Sequence, residues 1–333
     1  MTVRSRTPEQ VDAAMRMVEE AQGTPVEKAE MLMEIAMSLQ QKPKEASDIE
    51  AAVTLYETAL SLNMKDLPLL AARIRARMAT ALMIIPSEDT LPLERARDEL
   101  ETALGTLTAE GSDEEIAEAE MNLGLVLQNL APFHKARIQD SISAYQRALR
   151  TFDKKAHPKE FAILQNNLAT AFLSIPFTDE KAKMREALAV QAFEEGLSVV
   201  TLIDHPSEYA MLQNNLGNAL QYVSSSHRVE NGFRALEAYD EALKVRTLRD
   251  MPEEYANTIA NKANCLANLP DDPDDPDAGN RENLQKAIAL LNEARQVFRE
   301  RQAHDKAEAV EEAIGELRAA LGPSSVLERS GLQ

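Results

Sequence analysis

The side chains best suited to catalysis or metal binding are few in this sequence and form no recognised pattern. The 5 histidines are scattered, with no paired cysteine and no second histidine four residues away, which are the spacings that zinc sites use. The single cysteine, Cys265, occupies a position where other parts of the chain carry small residues, so we expect it to be buried and inert. No glycine-rich phosphate loop and no nucleophile elbow occurs. The sequence therefore predicts neither an enzyme nor a bound metal or cofactor.

An acidic run provides the densest cluster of charge, and it consists of Asp271, Asp272, Asp274, Asp275 and Asp277. These carboxylates could attract calcium, but the run lacks the glycine and the closing glutamate of an EF-hand loop. Proline residues between the acids favour an extended, hydrated segment. We therefore expect a solvated loop here, with few buried contacts.

Asparagine-rich sequence occurs twice in nearly the same form, as LQNNLATAFLSIP in residues 164–176 and as LQNNLGNALQYV in residues 212–223. With the leucine after the second asparagine as an anchor, six repeats can be aligned at intervals of 43 to 48 residues. Their anchors are Ile35, Met78, Leu123, Leu168, Leu216 and Lys262. Alanine or glycine follows every anchor, which indicates a seam where two helices pack closely.

A second helix in each repeat has its own signature: a small residue, an aromatic residue or leucine four later, and a small residue three beyond. The central residues of this signature are Tyr56, Leu100, Tyr145, Phe193, Tyr239 and Leu291. Pro158, Pro206 and Pro252 follow ten residues after the last small residue, which predicts that the second helix continues for another turn or two before proline ends it. Apolar spacing and good helix formers throughout predict an all-α chain.

These two signatures together resemble the tetratricopeptide repeat (TPR), whose first helix carries the phrase Asn-Leu-Gly-Asn-Ala found in residues 215–219. The resemblance covers roughly residues 25–298. The repeats exceed the usual length of about 34 residues and are similar in this to those of kinesin light chain and of bacterial multi-repeat proteins. The resemblance implies a right-handed superhelical solenoid of about six antiparallel helix pairs.

The predicted organisation has four parts: an N-terminal capping helix in residues 1–24, six helix pairs in 25–298, a C-terminal capping helix in 299–322 and a flexible tail in 323–333. The net charge of -19 disfavours nucleic-acid binding, because the chain would repel a phosphate backbone. No signal peptide and no apolar run long enough for a membrane span is found, so we expect a cytoplasmic protein without membrane contact. A homo-oligomer is possible.

The resemblance places one stripe of the first helices on the concave side of the solenoid. Polar residues at matching positions are Asn166, Thr170, Asn214, Asn218, Gln221, Asn257 and Asn264. Amides donate and accept, so they could bind the main chain of an extended peptide. One position away lie Asn122, Asn167, Asn215 and Asn261, which we expect to bond to neighbouring helices or loops instead. Changing Asn214 and Asn218 to alanine is expected to weaken binding with little effect on melting.

Toward the N-terminus the same stripe becomes rich in methionine and contains Met33, Met37, Arg73, Met83 and Met121. Methionine suits the apolar side of a bound helix or peptide, although filling of the core is its commoner role. Lysines that would clamp a terminal carboxylate in some TPR proteins are missing from the matching positions.

The function predicted from these features is a scaffold or adaptor that binds a protein or peptide segment in its concave groove. Three alternatives remain open: a regulatory peptide receptor, an all-α enzyme or small-ligand carrier with a pocket formed by the repeats, and a structural oligomer.

Overall fold

A computed structural model describes residues 9–20, 22–62, 64–175, 181–223, 227–272, 274–275, 277 and 279–322. Within these ranges the chain forms fourteen α-helices and a short 3₁₀ helix, Ala131–Phe133, and no β-strand. The helices are α1 (Glu9–Glu20), α2 (Pro25–Gln41), α3 (Ala46–Ser61), α4 (Pro68–Leu82), α5 (Leu91–Glu110), α6 (Asp113–Leu130), α7 (Ile138–Ala148), α8 (Pro158–Leu173), α9 (Ala182–Leu197), α10 (Pro206–Tyr222), α11 (Arg228–Leu243), α12 (Pro252–Ala267), α13 (Arg281–Glu300) and α14 (His304–Leu321).

The chain divides into two compact modules, residues 1–153 and residues 154–333. In the N-terminal module, repeats 1 to 3 are the helix pairs α2/α3, α4/α5 and α6/α7, with α1 packed against α2. In the C-terminal module, repeats 4 to 6 are α8/α9, α10/α11 and α12/α13, with α14 packed against α13. Within each module consecutive helices are packing neighbours, which confirms the predicted all-α, TPR-like arrangement of helix pairs.

Proline begins five of the first helices rather than ending the helices before them. Pro25, Pro68, Pro158, Pro206 and Pro252 each occupy the first turn of a helix, where a missing N–H costs nothing. The prediction that the second helices continue toward these prolines is therefore wrong.

In repeats 4 and 5, a turn closed by side-chain hydrogen bonds follows the second helix and prevents its continuation to the next proline. The Thr201 hydroxyl donates to Asp204 over 2.8 Å and accepts the Asp204 backbone N–H at 3.1 Å. Thr247 and Asp250 make the same two bonds at 2.8 and 3.1 Å. Such local bonds compete with helix formation, so the extra residues of these long repeats form turns.

The predicted seam is confirmed where the small residue after the anchor meets the second helix. Tyr145 and Tyr239 are fully buried. A Cβ atom built on Gly124 would lie 2.4 Å from the Tyr145 ring, and one built on Gly217 would lie 2.7 Å from the Tyr239 ring. At these two positions a Cβ atom would require the tyrosine ring or one of the helices to shift.

Two charged residues of the C-terminal module have partners that the sequence pattern did not reveal. Lys262, the charged anchor of repeat 6, forms an ion pair with Asp240. The acidic run was expected to make few buried contacts, but the Asp271 carboxylate accepts the backbone N–H groups of Glu282 and Asn283 at 2.9 and 2.8 Å. Asp271 therefore caps α13 from outside the helix, as an N-cap side chain would.

Cys265 is buried, and burial raises the pKa of its thiol to about 11, in keeping with an inert residue. In the part of the chain that is described, no helix is long and apolar enough to cross a bilayer. The same residues hold no cluster of three or more histidine, cysteine or acidic side chains placed for a metal. The predicted tail, 323–333, lies outside the described residues, as do residues 1–8.

Candidate functional site

A cavity of about 360 Å³ opens between the first helices of the N-terminal module. Three successive first helices, α2, α4 and α6, contribute to it. We call it the N-terminal groove, and it is lined by Met37, Gln40, Gln41, Arg77, Thr80, Met83, Ile84 and Asn122. Met37 and Met83 belong to the methionine stripe predicted from the sequence. Ile84 is 51% exposed, so an apolar side chain faces solvent at the edge of the groove.

A chain of hydrogen bonds fixes the polar wall of the N-terminal groove. The buried Tyr56 hydroxyl donates to Gln40 over 3.1 Å, and the Gln40 amide donates to the Thr80 hydroxyl over 2.8 Å. Burial raises the pKa of Tyr56 to about 12, against the opposing effect of the nearby Arg77 charge. Tyr56 therefore remains a neutral donor, and Gln40 is held in one orientation.

Ion pairs join α4 to α6 beside this cavity. Arg77 pairs with Glu118 at 2.8 Å and Arg73 pairs with Glu115 at 2.6 Å. The hydrogen bond from Arg73 lowers the pKa of Glu115 and raises that of Arg73, so both groups stay charged near neutral pH. These pairs line a second, smaller cavity of about 50 Å³. The positive charges are thus matched by carboxylates.

The C-terminal module carries a different feature on its first helices, a ladder of asparagine side chains. Each amide nitrogen donates to the next amide oxygen, and the order is Asn261 to Asn214 (3.3 Å), Asn214 to Asn215 (3.0 Å), Asn215 to Asn166 (2.8 Å) and Asn166 to Asn167 (3.2 Å). The ladder therefore runs from α12 through α10 to α8. We call these five residues the asparagine ladder.

The asparagine ladder unites two sets of residues that the sequence suggested were separate. Asn215 and Asn261 bond to neighbouring helices, as expected for their set. For the other two members the expectation is wrong, since Asn167 accepts from Asn166 on the same helix and the Asn122 side chain has no partner among the described residues. Asn166 and Asn214 were predicted to face a peptide, yet their side chains lie in the ladder and the residues are only 6% and 7% exposed. Their contact with a partner stays a prediction, and the structure links them to each other through Asn215.

The remaining predicted polar residues are distributed as follows. Tyr239 donates to Asn218 over 2.7 Å and accepts from Gln221 at 3.1 Å. The Thr170 hydroxyl donates to the Asn167 carbonyl over 2.9 Å. Asn257 is half-buried and Asn264 is exposed.

Among the N-terminal predictions, Met33, Met37 and Met83 pack partly against the hydrophobic core. Met121 is half-buried. Arg73 lies beside the smaller cavity rather than in the N-terminal groove.

Sequence reasoning missed a pairing between the two helices of each repeat. In the repeats that have tyrosine on the second helix, the residue five positions after the anchor is glutamine. In the other repeats this residue is apolar. Tyr56 and Tyr145 donate to Gln40 and Gln128, and Gln221 donates to Tyr239. The apolar counterparts are Met83, Leu173 and Ala267, which accompany Leu100, Phe193 and Leu291. Comparison of the aligned repeats would have revealed this signal.

Comparison with known proteins adds little to the geometry. No family model matches the sequence, and no curated protein matches it. Among solved structures, the chain is similar to the TPR2AB domain of yeast Sti1 in a complex with pHSP90, at 16% identity and a TM-score of 0.33. That match covers 88% of this chain and 99% of the other. The fold assignment therefore rests on the helix pairs described above.

Proposed function

We propose that this protein is an interaction scaffold that holds a segment of a partner protein against its first helices. The observation that supports this most directly is the N-terminal groove, which three successive repeats line together. Ligand sites combine apolar walls with a few polar groups that fix orientation. Met37, Met83 and Ile84 supply apolar surface, and the amides of Gln41 and Asn122 supply donors and acceptors.

The polar groups of the N-terminal groove favour binding over chemistry. A reactive site generally holds a titratable group whose pKa suits proton transfer near neutral pH. Here Arg77 is engaged with Glu118, and Tyr56 is a buried donor whose pKa lies at about 12. Fixed amides and thioethers are better suited to holding a peptide than to transforming it. A pocket for a small ligand is the second candidate, since the cavity of about 360 Å³ falls within the range of such sites.

The asparagine ladder has a supporting part in this proposal. Each ladder amide still has donor or acceptor capacity beyond the bonds of the ladder, because an amide offers two N–H groups and two lone pairs. Asn218 and Gln221 lie on α10 and are half-buried. We propose that a bound segment reaches these side chains, while Asn166 and Asn214 keep the first helices in register.

Site-specific photocrosslinking tests the proposal. A benzoylphenylalanine placed at Ile84 would lie at the edge of the N-terminal groove, and one placed at Leu91 would lie on exposed surface of the same module, since Leu91 is 66% exposed. We expect a discrete crosslinked partner from position 84 that position 91 does not give. Crosslinks of equal yield and identity from both positions would show that the groove is not the binding surface.

A further inference from the structure

Asn122 holds the same repeat position as the donors of the asparagine ladder but has no partner of its own. The ladder donors Asn215 and Asn261 precede their anchors by one residue and reach an asparagine that precedes the anchor of the previous repeat by two. In repeat 2 that acceptor position is occupied by Ala76. The Asn122 side chain makes no hydrogen bond to any residue that the structure describes, and it lines both cavities of the N-terminal module.

The surroundings of this free amide carry no unbalanced charge. Arg77 is the cation of the N-terminal groove, and Glu118 neutralises it at 2.8 Å. The apolar part of the lining consists of Met37, Met83 and Ile84, and Ile84 is exposed. A charged side chain entering here would lose hydration and gain no counter-ion, whereas an aliphatic side chain would gain contact with two thioethers and a branched alkyl group.

We infer that the N-terminal groove takes an uncharged segment of extended polypeptide, with one aliphatic or methionine side chain against Met37, Met83 and Ile84 and its main-chain amide on Asn122. This inference rests on the proposed scaffold function and specifies the chemistry of the partner. The Asn122 side chain can donate to a main-chain carbonyl and accept from a main-chain N–H at the same time. The cavity of about 360 Å³ lies near the lower end of ligand-site volumes, so it fits a short stretch rather than a folded element.

The test uses blocked pentapeptides, acetyl-Ala-Ala-X-Ala-Ala-amide, in which X is leucine, aspartate or lysine. Binding is followed by NMR on protein labelled with ¹³C at the methionine methyl groups, and the signals of Met37 and Met83 are assigned with single methionine-to-leucine variants. We expect the leucine peptide to shift both signals with a dissociation constant of about 1 mM, and the two charged peptides to bind about tenfold more weakly.

Asn122→Ala should weaken the leucine peptide about three- to tenfold, as loss of one net hydrogen bond predicts. The matched control is Asn129→Ala, since Asn129 is an exposed asparagine on the same helix, α6. It should leave binding unchanged. Circular dichroism of both variants checks that each is folded, and Asn122→Ala should fold normally because it breaks no bond within the described structure.

Each other outcome counts against the inference. Equal or tighter binding of a charged peptide at Met37 and Met83 would refute the neutral chemistry but leave the scaffold function intact. Shifts confined to other methionine signals, or no shift with any peptide, would refute this cavity as the peptide site. Crosslinking from Ile84 would then decide separately whether the groove contacts a partner by other means.

Discussion

Replacement of Gly217 by alanine is expected to destabilise the C-terminal module through one specific overlap. An alanine Cβ would lie 2.7, 2.8 and 3.0 Å from three ring atoms of Tyr239, whereas carbon atoms in good contact are about 3.5 to 4.0 Å apart. The ring cannot move away easily, because Tyr239 is fully buried and its hydroxyl is bonded to Asn218 and Gln221.

The expected magnitude follows from two opposing effects. Overpacking of a filled core costs about 1 to 3 kcal/mol, and alanine recovers about 1 kcal/mol of helix propensity over glycine. We expect a net loss of up to about 2 kcal/mol in the free energy of unfolding. The control is Gly315→Ala on α14, where nothing lies within 4 Å of the new Cβ, and this change should stabilise by about 0.5 to 1 kcal/mol.

A double-mutant cycle makes the reasoning sharper. Repeats 2 and 6 combine alanine after the anchor with leucine on the second helix, as Ala79 with Leu100 and Ala263 with Leu291. In a Tyr239→Leu background the Gly217→Ala change should therefore lose its cost, giving a coupling of about 1 kcal/mol or more. Urea unfolding followed by circular dichroism measures all four proteins. Strict additivity, or a Gly217→Ala protein as stable as Gly315→Ala, would refute the overlap.

Three further perturbations test other contacts. Asn214→Ala should lower the free energy of unfolding by about 1 to 3 kcal/mol, because it leaves ladder partners on α10 and α12 unsatisfied. This revises the sequence expectation that melting would barely change. The control, Asn264→Ala, changes an exposed residue and should melt like the parent protein. Asp271→Ala should lower the free energy of unfolding by about 0.5 to 2 kcal/mol through loss of the α13 cap. The control, Asp274→Ala on the exposed part of the loop, should stay within about 0.5 kcal/mol of the parent protein. Equal melting temperatures for the two variants would contradict the capping role. Lys262→Met should be neutral or stabilising by up to about 1 kcal/mol, since it restores an apolar anchor and removes a half-exposed ion pair. Clear destabilisation in thermal melts would show that the ion pair contributes more than the apolar packing.

The helix pairs were predictable because the sequence pattern that specifies them lies within each repeat. Apolar spacing around Leu168 and Leu216 defines which face of a helix is buried, and the small residues after each anchor define where the next helix packs. Helix boundaries were harder to predict from the sequence. The turn formed by Thr201 and Asp204 depends on a competition between side-chain and helical hydrogen bonds, which apolar spacing alone does not reveal.

The candidate site was predicted less completely because it depends on relations between repeats. Met37 and Met83 were identified from their stripe, but the role of Asn122 depends on the absence of an acceptor at Ala76, one repeat earlier in the chain. Asn166 and Asn214 looked like free amides in isolation. Their engagement depends on the packing of neighbouring first helices, which brings Asn215 to Asn166 and Asn261 to Asn214.

The direction of the asparagine ladder has a consequence for how the chain finds its correct order. Near-identical repeats can stack on the wrong neighbour during folding, and apolar seams alone discriminate poorly among them. The ladder requires a donor one residue before the anchor and an acceptor two residues before the anchor of the preceding repeat, a combination met by repeats 5 and 6 on repeats 4 and 5. A stack that reversed the order would place a ladder donor opposite Ala260, whose side chain cannot accept a hydrogen bond. The five side chains thus favour one direction of stacking for the repeats of this module.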